Sequence, residues 1–363
     1  HAIPDKASTD ETINSMKAIW TRPESEVTED EFNEFYKHVA HDWQPPQRHF
    51  SMKGEGITEF RALLFIPSQR PWGMWSPETD HGLSLYIRKV LFLRIIRELG
   101  AMIKEDRDDY LKFWNNFGQI LKEGLISEQK NKDDLIDICL FQSTQDPVAL
   151  TTLTEYIERM PEDQDTIYFM TGKDRQALEA SPHLEAFRKK GWEVLLLTDT
   201  VDEVWSQYMT EFKEKKISSV QKGELNLETG SEETRKEKQE SYKDLTGFIQ
   251  KQLDEHIKEV RVTDRLTDSP ACLVGDESDL TPQLEELLRS TGQEIPHAKR
   301  ILEINPDHPV IAAMQQKFTT DSDTLPDLIH ALYAQAVIAE GTLPDNPAQF
   351  AKTLTILLQN SLN

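Results

Sequence analysis

The sequence predicts a mixed α+β and α/β protein, in which an α/β portion in two subdomains precedes a smaller α+β domain. From residue 154 to 197, short apolar runs alternate with helical repeats, which is typical of parallel strands joined by helical crossovers. A highly charged helical stretch begins near residue 231, and we place the domain boundary just before it. The 363 residues are enough for two domains. The predicted ranges are 1–227 for the first domain, with subdomains over about 1–125 and 126–227, and 228–363 for the second.

The charge of the chain limits its partners. The sequence holds 41 basic and 64 acidic side chains, a formal net charge of −23. So acidic a surface argues against nucleic acid and anionic membranes, and no apolar run approaches the length of a membrane span. Cys139 and Cys272 both lie in apolar runs, so we expect buried free thiols in a reducing compartment. These observations predict a cytoplasmic protein with neither nucleic-acid nor membrane partners.

Two apolar, β-prone runs between residues 60 and 92 predict a pair of buried strands joined by a long turn. Pro67 ends the first strand, because proline cannot donate a hydrogen bond to a sheet. Upstream, Thr28 and Glu31 form a capping-box pattern, which predicts a helix that ends near residues 41–42.

The second apolar run contains an anomaly. Residues 86–99 pass from strand period to helix period without a turn residue between them. A chain cannot reverse direction there without leaving backbone groups unpaired. One account is a strand that runs straight into a helix. We favour the other, in which residues are missing between Phe92 and Leu93, and we expect their Cα atoms to lie far apart.

The end of the first helix offers two candidate sites. His38, His41 and Asp42 would share one helix face, so a metal site is an alternative to a solvated surface. However, the spacing differs from His-Glu-x-x-His, and the sequence has no second cluster of ligands. Trp43 follows in a polar, proline-bounded loop, where it is either an exposed contact residue or packed beneath the loop.

Residues 108–197 predict helices followed by an alternation of strands and helices. Residues 108–121 and 132–141 predict helices, and residues 166–171 and 193–197 predict buried strands. Residues 175–190 predict two short helices, broken at a Ser-Pro pair. The intervening helices imply that the two strands are parallel.

The last third of the chain predicts a long helix over 231–256, strands over 260–263, 271–274 and 300–304, and several amphipathic helices. One of these helices has Leu280, Leu284, Leu287 and Leu288 on a single face. Two terminal helices, over 325–340 and 349–360, are apolar on wide faces, which suggests a self-complementary dimer. The leucines assigned to the dimer interface are Leu328, Leu332, Leu354, Leu357 and Leu358.

The sequence contains few of the motifs that are typical of enzymes. It has no Gly-x-Ser-x-Gly elbow, paired-cysteine motif, Walker loop or dinucleotide fingerprint. Carboxylates are abundant but scattered along helix faces. The residues alone therefore predict a binding or scaffold protein with a dimerising end.

Several segments resemble the ninety-kilodalton heat-shock chaperones. Five resemble the middle domain of that family, and two resemble the C-terminal domain of its bacterial members. They span nearly the whole chain in order: residues 17–22, 34–42, 63–75, 117–124, 181–197, 260–271 and 303–309.

The resemblance implies a middle and C-terminal portion of an ATP-dependent chaperone that binds partly folded client proteins in the cleft of a homodimer. Members of the family use ATP and Mg²⁺, bound by an N-terminal domain that has no counterpart here. A family loop reading Leu-Pro-Leu-Asn-x-Ser-Arg-Glu, whose Arg reaches ATP, would fall after Phe92 and is also missing. We therefore expect no cofactor in this chain and no ATP hydrolysis by it alone.

The resemblance also implies three client-binding places. Trp43 matches a client-contacting tryptophan of eukaryotic relatives. Glu203, Val204 and Gln207 match a client-contact patch, although Val204 stands where the family has a tryptophan and Trp205 lies beside it. Leu280, Leu284, Leu287 and Leu288 match an amphipathic helix exposed in the dimer cleft, which could instead pack in the core. The rival interpretations are a passive dimeric scaffold and a metal-dependent phosphohydrolase that uses His38, His41 and Asp42.

Overall fold

The computed structural model confirms a mixed α/β fold. It forms two compact units, His1–Gly118 and Gln119–Asn363, which we describe separately. The predicted boundaries near 125/126 and 227/228 remain predictions. The structure describes residues 19–54, 60–70, 88–128, 130–223, 232–290, 292–293, 298–320, 325–344 and 346–361.

In the described part of the first unit, two 3-10 helices of three residues each precede α1 (Glu29–Ala40). The predicted capping box is present, since the Thr28 hydroxyl accepts from the Glu31 N–H and the Glu31 carboxylate accepts from the Thr28 N–H. Phe32 and Tyr36 form the buried face of α1. The helix ends at Ala40, and the left-handed φ of 51° at His41 turns the chain away from the helix axis.

Strands β1 (Arg48–Gly54) and β2 (Phe60–Ile66) form an antiparallel pair. Strand β2 was predicted. Of the partner strand predicted over residues 81–92, residues 81–87 lie outside the described residues, and residues 88–92 belong to a helix and not to a strand. Strand β1 escaped the sequence analysis because Arg48, His49 and Lys53 mask its alternation of apolar and polar residues. The loop predicted over residues 71–80 lies outside the described residues.

Helix α2 (Arg88–Glu105) runs through Phe92 and Leu93 as one helix. The prediction of a wide Cα separation there is therefore wrong. The cause is helical spacing: Ile96, Leu99 and Met102 recur every three residues and are all buried. Helix α3 (Arg107–Ser127) follows and contains the division between the two units.

The second unit contains a five-stranded sheet in the order β3-β5-β4-β7-β6. Its central strands are parallel, as predicted, because helices connect them, whereas both edge strands pair antiparallel. The predicted helix over 132–141 is shorter and ends at Ile136. The elements are α4 (Lys132–Ile136), β3 (Gln142–Ser143), α5 (Leu153–Arg159), β4 (Thr166–Thr171), α6 (Arg175–Glu179), α7 (Glu185–Lys190), β5 (Val194–Leu197), α8 (Asp202–Trp205), β6 (Glu211–Phe212) and β7 (Lys215–Ser219).

A three-stranded sheet in the order β8-β10-β9 follows. It packs with the surrounding helices around a core that includes Leu253, Leu302 and Leu332. Strand β8 was predicted about three residues too late. The elements are α9 (Glu232–Gln252), β8 (Ile257–Val262), β9 (Ala271–Val274), α10 (Pro282–Ser290), β10 (Arg300–Ile304), α11 (Pro309–Thr320), α12 (Leu325–Ala339) and α13 (Pro347–Ser361).

Buried polar groups join the two sheets of the second unit. The Glu185 carboxylate on α7 accepts hydrogen bonds from the backbone N–H groups of Thr267, Asp268 and Ser269. The guanidinium of Arg265, which is 4% exposed, donates to backbone carbonyls of Val220 and Gly223. These contacts fix the loop before β9 against the five-stranded sheet.

Two further predictions concern thiols and membranes. Cys139 and Cys272 are free and buried, as predicted. Among the described residues, no helix combines the length and apolar character needed to cross a membrane.

Candidate functional site

A groove in the second unit lies between the carboxyl ends of β4 and β5 and helix α10. This is the edge of a parallel sheet at which ligands bind in open α/β folds. The groove has a volume of ≈ 410 Å³. Its lining comes from the turns after β4 and β5, from α8 and from one side of α10: Gly172, Lys173, Thr198, Asp199, Thr200, Glu203, Gln283, Glu286, Leu287 and Ser290.

This groove brings together two places that the sequence analysis treated separately. Glu203 belongs to the predicted client-contact patch, and Leu287 belongs to the predicted amphipathic helix, yet both line the same groove. Leu284 points into the protein and is 6% exposed, while Leu288 is half-buried. Leu280 is also half-buried, but it precedes α10, so the four leucines do not share one helix face.

The Glu203 side chain is tied directly to the start of α10. The Thr281 hydroxyl donates to Glu203 Oε2 at a distance of 2.5 Å, and the same hydroxyl oxygen accepts from the Leu284 N–H at 3.2 Å. Burial raises the pKa of the Glu203 carboxyl, while the Thr281 hydroxyl and the charge of Lys222 act in the opposite direction. The contact fixes the separation of α8 and α10 at one wall of the groove.

The rest of the predicted patch is divided between surface and core. Val204 and Gln207 are half-buried, and Gln207 Oε1 accepts from Lys222 Nζ at 3.1 Å. Trp205 is 2% exposed, and its indole Nε1 donates to Asp202 Oδ1 at 2.7 Å. Trp205 therefore packs inside the protein, and a direct client contact through its ring would require α8 to move.

A buried cation that was not predicted from the sequence, Lys122, lies beside the groove. Lys122 Nζ donates to Asp199 Oδ2 at 2.7 Å and to Asp202 Oδ2 at 3.0 Å. Burial opposes the charge, yet the two carboxylates raise the pKa of Lys122. A signal was available, because Lys122 lies at helical spacing from Trp114 and Leu125, two buried positions of α3.

Trp43 lies in the first unit and is 91% exposed. Of the two positions considered for it, the exposed one is therefore observed. Val39, which is 60% exposed, lies beside it in a second groove of ≈ 720 Å³. This groove is formed by the end of α1, the loop that carries Trp43, and β2.

The predicted metal cluster does not assemble on one helix face. The left-handed conformation of His41 places it and Asp42 beyond the end of α1. Asp42 is engaged locally instead, since it accepts from the Tyr36 hydroxyl at 2.9 Å and from the Gln44 N–H at 3.0 Å. Within the described ranges, no group of three or more His, Cys, Asp or Glu side chains could hold a metal ion.

The predicted interface leucines differ in their surroundings. Leu332 is 4% exposed in the core of its own chain, and Leu328 packs partly buried against that core. The expectation that both lie on a free face is therefore wrong for Leu332, because α12 covers the three-stranded sheet. Leu354 on α13 is 43% exposed. Leu357 and Leu358 lie in α13, but their side chains fall outside the described set.

Comparison with known proteins identifies the family. The sequence model described as "Hsp90 protein" matches residues 1–102 and 92–363. The chain belongs to the Hsp90 family.

The Hsp90-family chain is similar to chaperone proteins HtpG from several bacteria. It is 41% identical to that of Nocardia farcinica over 414 residues, which cover 97% of this chain and 64% of the relative. It is 40% identical to the HtpG proteins of Mycobacterium avium and Streptomyces coelicolor, with 97% of this chain covered in both cases. The chain spans less than two thirds of the length of these relatives, 63% and 64% for the latter two.

The comparisons also bear on the anomaly near Phe92. The alignment with the Nocardia farcinica protein covers 414 residues, more than the 363 of this chain, so the relative carries residues with no counterpart here. The two matches to the family model overlap at residues 92–102, in helix α2. Helix α2 is continuous across this overlap, and the absence of the family's Arg-bearing loop stays a prediction.

Proposed function

We propose that this chain is the client-binding and dimerising part of an Hsp90-family chaperone. Its contact surface for partly folded proteins is the groove between α8 and α10. The observation that carries the proposal is that Glu203 and Leu287, assigned to client binding for separate reasons, line one groove. An apolar side chain beside polar and charged groups suits an unfolded segment, which exposes both kinds of residue.

Trp43 supplies a second contact surface in the first unit. A large aromatic side chain that is 91% exposed costs free energy in water unless a partner covers it. The terminal helices supply the dimer contact, through the exposed side of α13 that carries Leu354. The exposed tryptophan and the groove favour a client-binding protein over the passive scaffold.

The groove does not suit a nucleotide. Asp199, Glu203 and Glu286 place three carboxylates on its lining against one cation, Lys173, so the phosphates of ATP would meet like charge. We therefore assign no part of ATP chemistry to the groove, and we propose that this chain alone does not hydrolyse ATP. The test is steady-state turnover by the purified chain, in which activity insensitive to inhibitors of the family's ATP site would contradict the proposal.

The binding test uses reduced, carboxymethylated α-lactalbumin, an unfolded protein that cannot refold. Leu287→Asp should weaken its binding by about tenfold or more, because it places a desolvated charge in the contact. Val148→Asp is the matched control, since Val148 is 85% exposed and lies outside the groove lining. Equal affinities of Leu287→Asp and the unmodified chain would show that the groove is not the client site.

A further inference from the structure

Helix α8 is too short to hold its own position. It has four residues, Asp202–Trp205, and no side-chain cap at its amino end. An isolated helix of this length is unstable in water, because nucleation costs more than its few hydrogen bonds return. Contacts from elsewhere in the chain must therefore fix Glu203 at the groove.

The Thr281 hydroxyl holds the Glu203 side chain directly. The contacts that hold the backbone of α8 converge on Asp202, which is fully buried. One of its oxygens, Oδ2, accepts from Lys122 Nζ at 3.0 Å and from the Asp199 N–H at 3.1 Å. The other oxygen, Oδ1, accepts from the Trp205 indole at 2.7 Å. The carboxylate of the first residue of α8 thus binds both the last residue of the helix and the turn that precedes it.

The only charge that balances this carboxylate within hydrogen-bonding distance, among the described residues, is Lys122. Its ammonium group also donates to Asp199 and lies 5.2 Å from the centroid of the Phe141 ring. The same ring is 5.7 Å from that of Trp205, centroid to centroid. Lys122 therefore stabilises the anion that orders α8 and packs beside the aromatic pair that supports it.

We infer that Lys122 is a positioning residue for client binding: it holds α8, and with it Glu203, at the wall of the groove. Lys122 does not line the groove and need not touch a client. It acts through its ion pair and hydrogen bond with Asp202: burial raises the pKa of Asp202, and the charge of Lys122 opposes that rise. This inference rests on the proposed function of the groove.

The test compares Lys122→Met with the double variant Lys122→Met/Asp202→Asn. The single variant leaves a buried carboxylate without its cation, which disorders α8. The double variant removes both charges. The amide oxygen of the new side chain still accepts from Trp205, whereas its NH2 group cannot accept from the Asp199 N–H as Oδ2 does. Lys189→Met, at an exposed lysine on α7, is the matched control.

Two readouts separate positioning from general instability. The first is the Trp205 indole N–H resonance, assigned by its loss in Trp205→Phe, which reports the bond to Asp202. The second is the affinity for reduced, carboxymethylated α-lactalbumin. We expect Lys122→Met to shift or broaden the resonance and to weaken binding about tenfold. The double variant should recover part of both, since, apart from the contacts of Lys122 itself, it loses only the bond from the Asp199 N–H.

The outcomes of this test are distinct. If Lys122→Met leaves both the Trp205 resonance and the affinity unchanged while Leu287→Asp weakens binding, the inference about Lys122 is wrong and the groove stands. If the resonance shifts but neither Lys122→Met nor Leu287→Asp alters the affinity, the groove itself is not the client site. If the double variant binds as weakly as the single one, charge balance is not the mechanism and the inference is overturned.

Discussion

The joint between the two sheets of the second unit should depend on Glu185. Its Oε2 atom accepts from the N–H groups of Thr267, Asp268 and Ser269 at 2.7, 2.8 and 3.2 Å, and its Oε1 atom accepts from the Ser269 hydroxyl at 2.6 Å. The carboxylate is 9% exposed. Four acceptor contacts in one loop make it the main connection of that loop to α7.

Replacing Glu185 by alanine should lower the free energy of unfolding by about 3 kcal/mol. A hydrogen bond to a charged group contributes roughly 1.5–3 kcal/mol, but four bonds to one carboxylate are not additive, and water replaces part of them at a surface loop. Glu185→Gln should cost about half as much, since it keeps one acceptor oxygen. The control is Glu179→Ala, which removes only an exposed i,i+4 pair with Arg175 and should cost about 0.5 kcal/mol or less.

Urea unfolding, followed by tryptophan fluorescence and far-UV circular dichroism, measures this difference. Amide hydrogen exchange gives a local check, because exchange at residues 267–269 should accelerate by up to about a hundredfold in Glu185→Ala. An unfolding free energy within about 0.5 kcal/mol of the unmodified chain, with unchanged exchange at those amides, would refute the reasoning.

The pH dependence of this effect follows from the direction of the Glu185 pKa. Burial acts to raise the pKa of Glu185, but the Ser269 hydroxyl and the three backbone N–H groups lower it overall from 4.5. A lowered pKa means that the native state binds fewer protons than the unfolded state. The stabilisation by Glu185 is therefore fully present above pH 4.5 and is lost as the pH falls through the native pKa.

Glu340 should behave in the opposite way, because burial raises its pKa from 4.5 to about 7. The free energy of unfolding should therefore fall by up to about 3 kcal/mol as the pH rises from 4.5 to 7. Urea unfolding at several pH values measures this dependence, and Glu340→Gln should remove it. The same pH dependence in both proteins would contradict the prediction. Leu354→Asp should raise the dimer Kd about thirtyfold, since half-burying one leucine per protomer contributes roughly 2 kcal/mol per dimer. Sedimentation velocity measures this, and an unchanged Kd would place the interface elsewhere.

The parts of the fold predicted correctly are those with a strong local signal. Thr28 and Glu31 specify a helix start within four residues, and the Ser181-Pro182 pair interrupts a helical pattern where a helix must break. The parallel pairing of β4 and β5 was also predicted from the sequence, because neighbouring strands joined by a helical crossover run parallel. Such features need no information about distant residues.

The errors arose where distant residues decide the outcome. Strand β1 was missed because its stability comes from pairing with β2 and is not visible in its own mixed composition. Trp205 was assigned to the client-contact patch beside Val204, yet Asp202 and Phe141 hold its ring inside the protein. The contact between Glu203 and Thr281 joins residues 78 positions apart, so no local pattern could show that α8 and α10 form one groove.

The groove can be tested most directly by crosslinking. Both native cysteines are buried, so a single introduced cysteine carries a thiol-reactive benzophenone selectively. Ser290→Cys places the probe on an exposed residue of the groove lining, and Glu158→Cys places it on α5, away from the groove. On illumination with reduced, carboxymethylated α-lactalbumin, we predict crosslinks from position 290 that Leu287→Asp suppresses, and few from position 158. Equal crosslinking from both positions, unaffected by Leu287→Asp, would contradict the assignment of the groove as the client-binding surface.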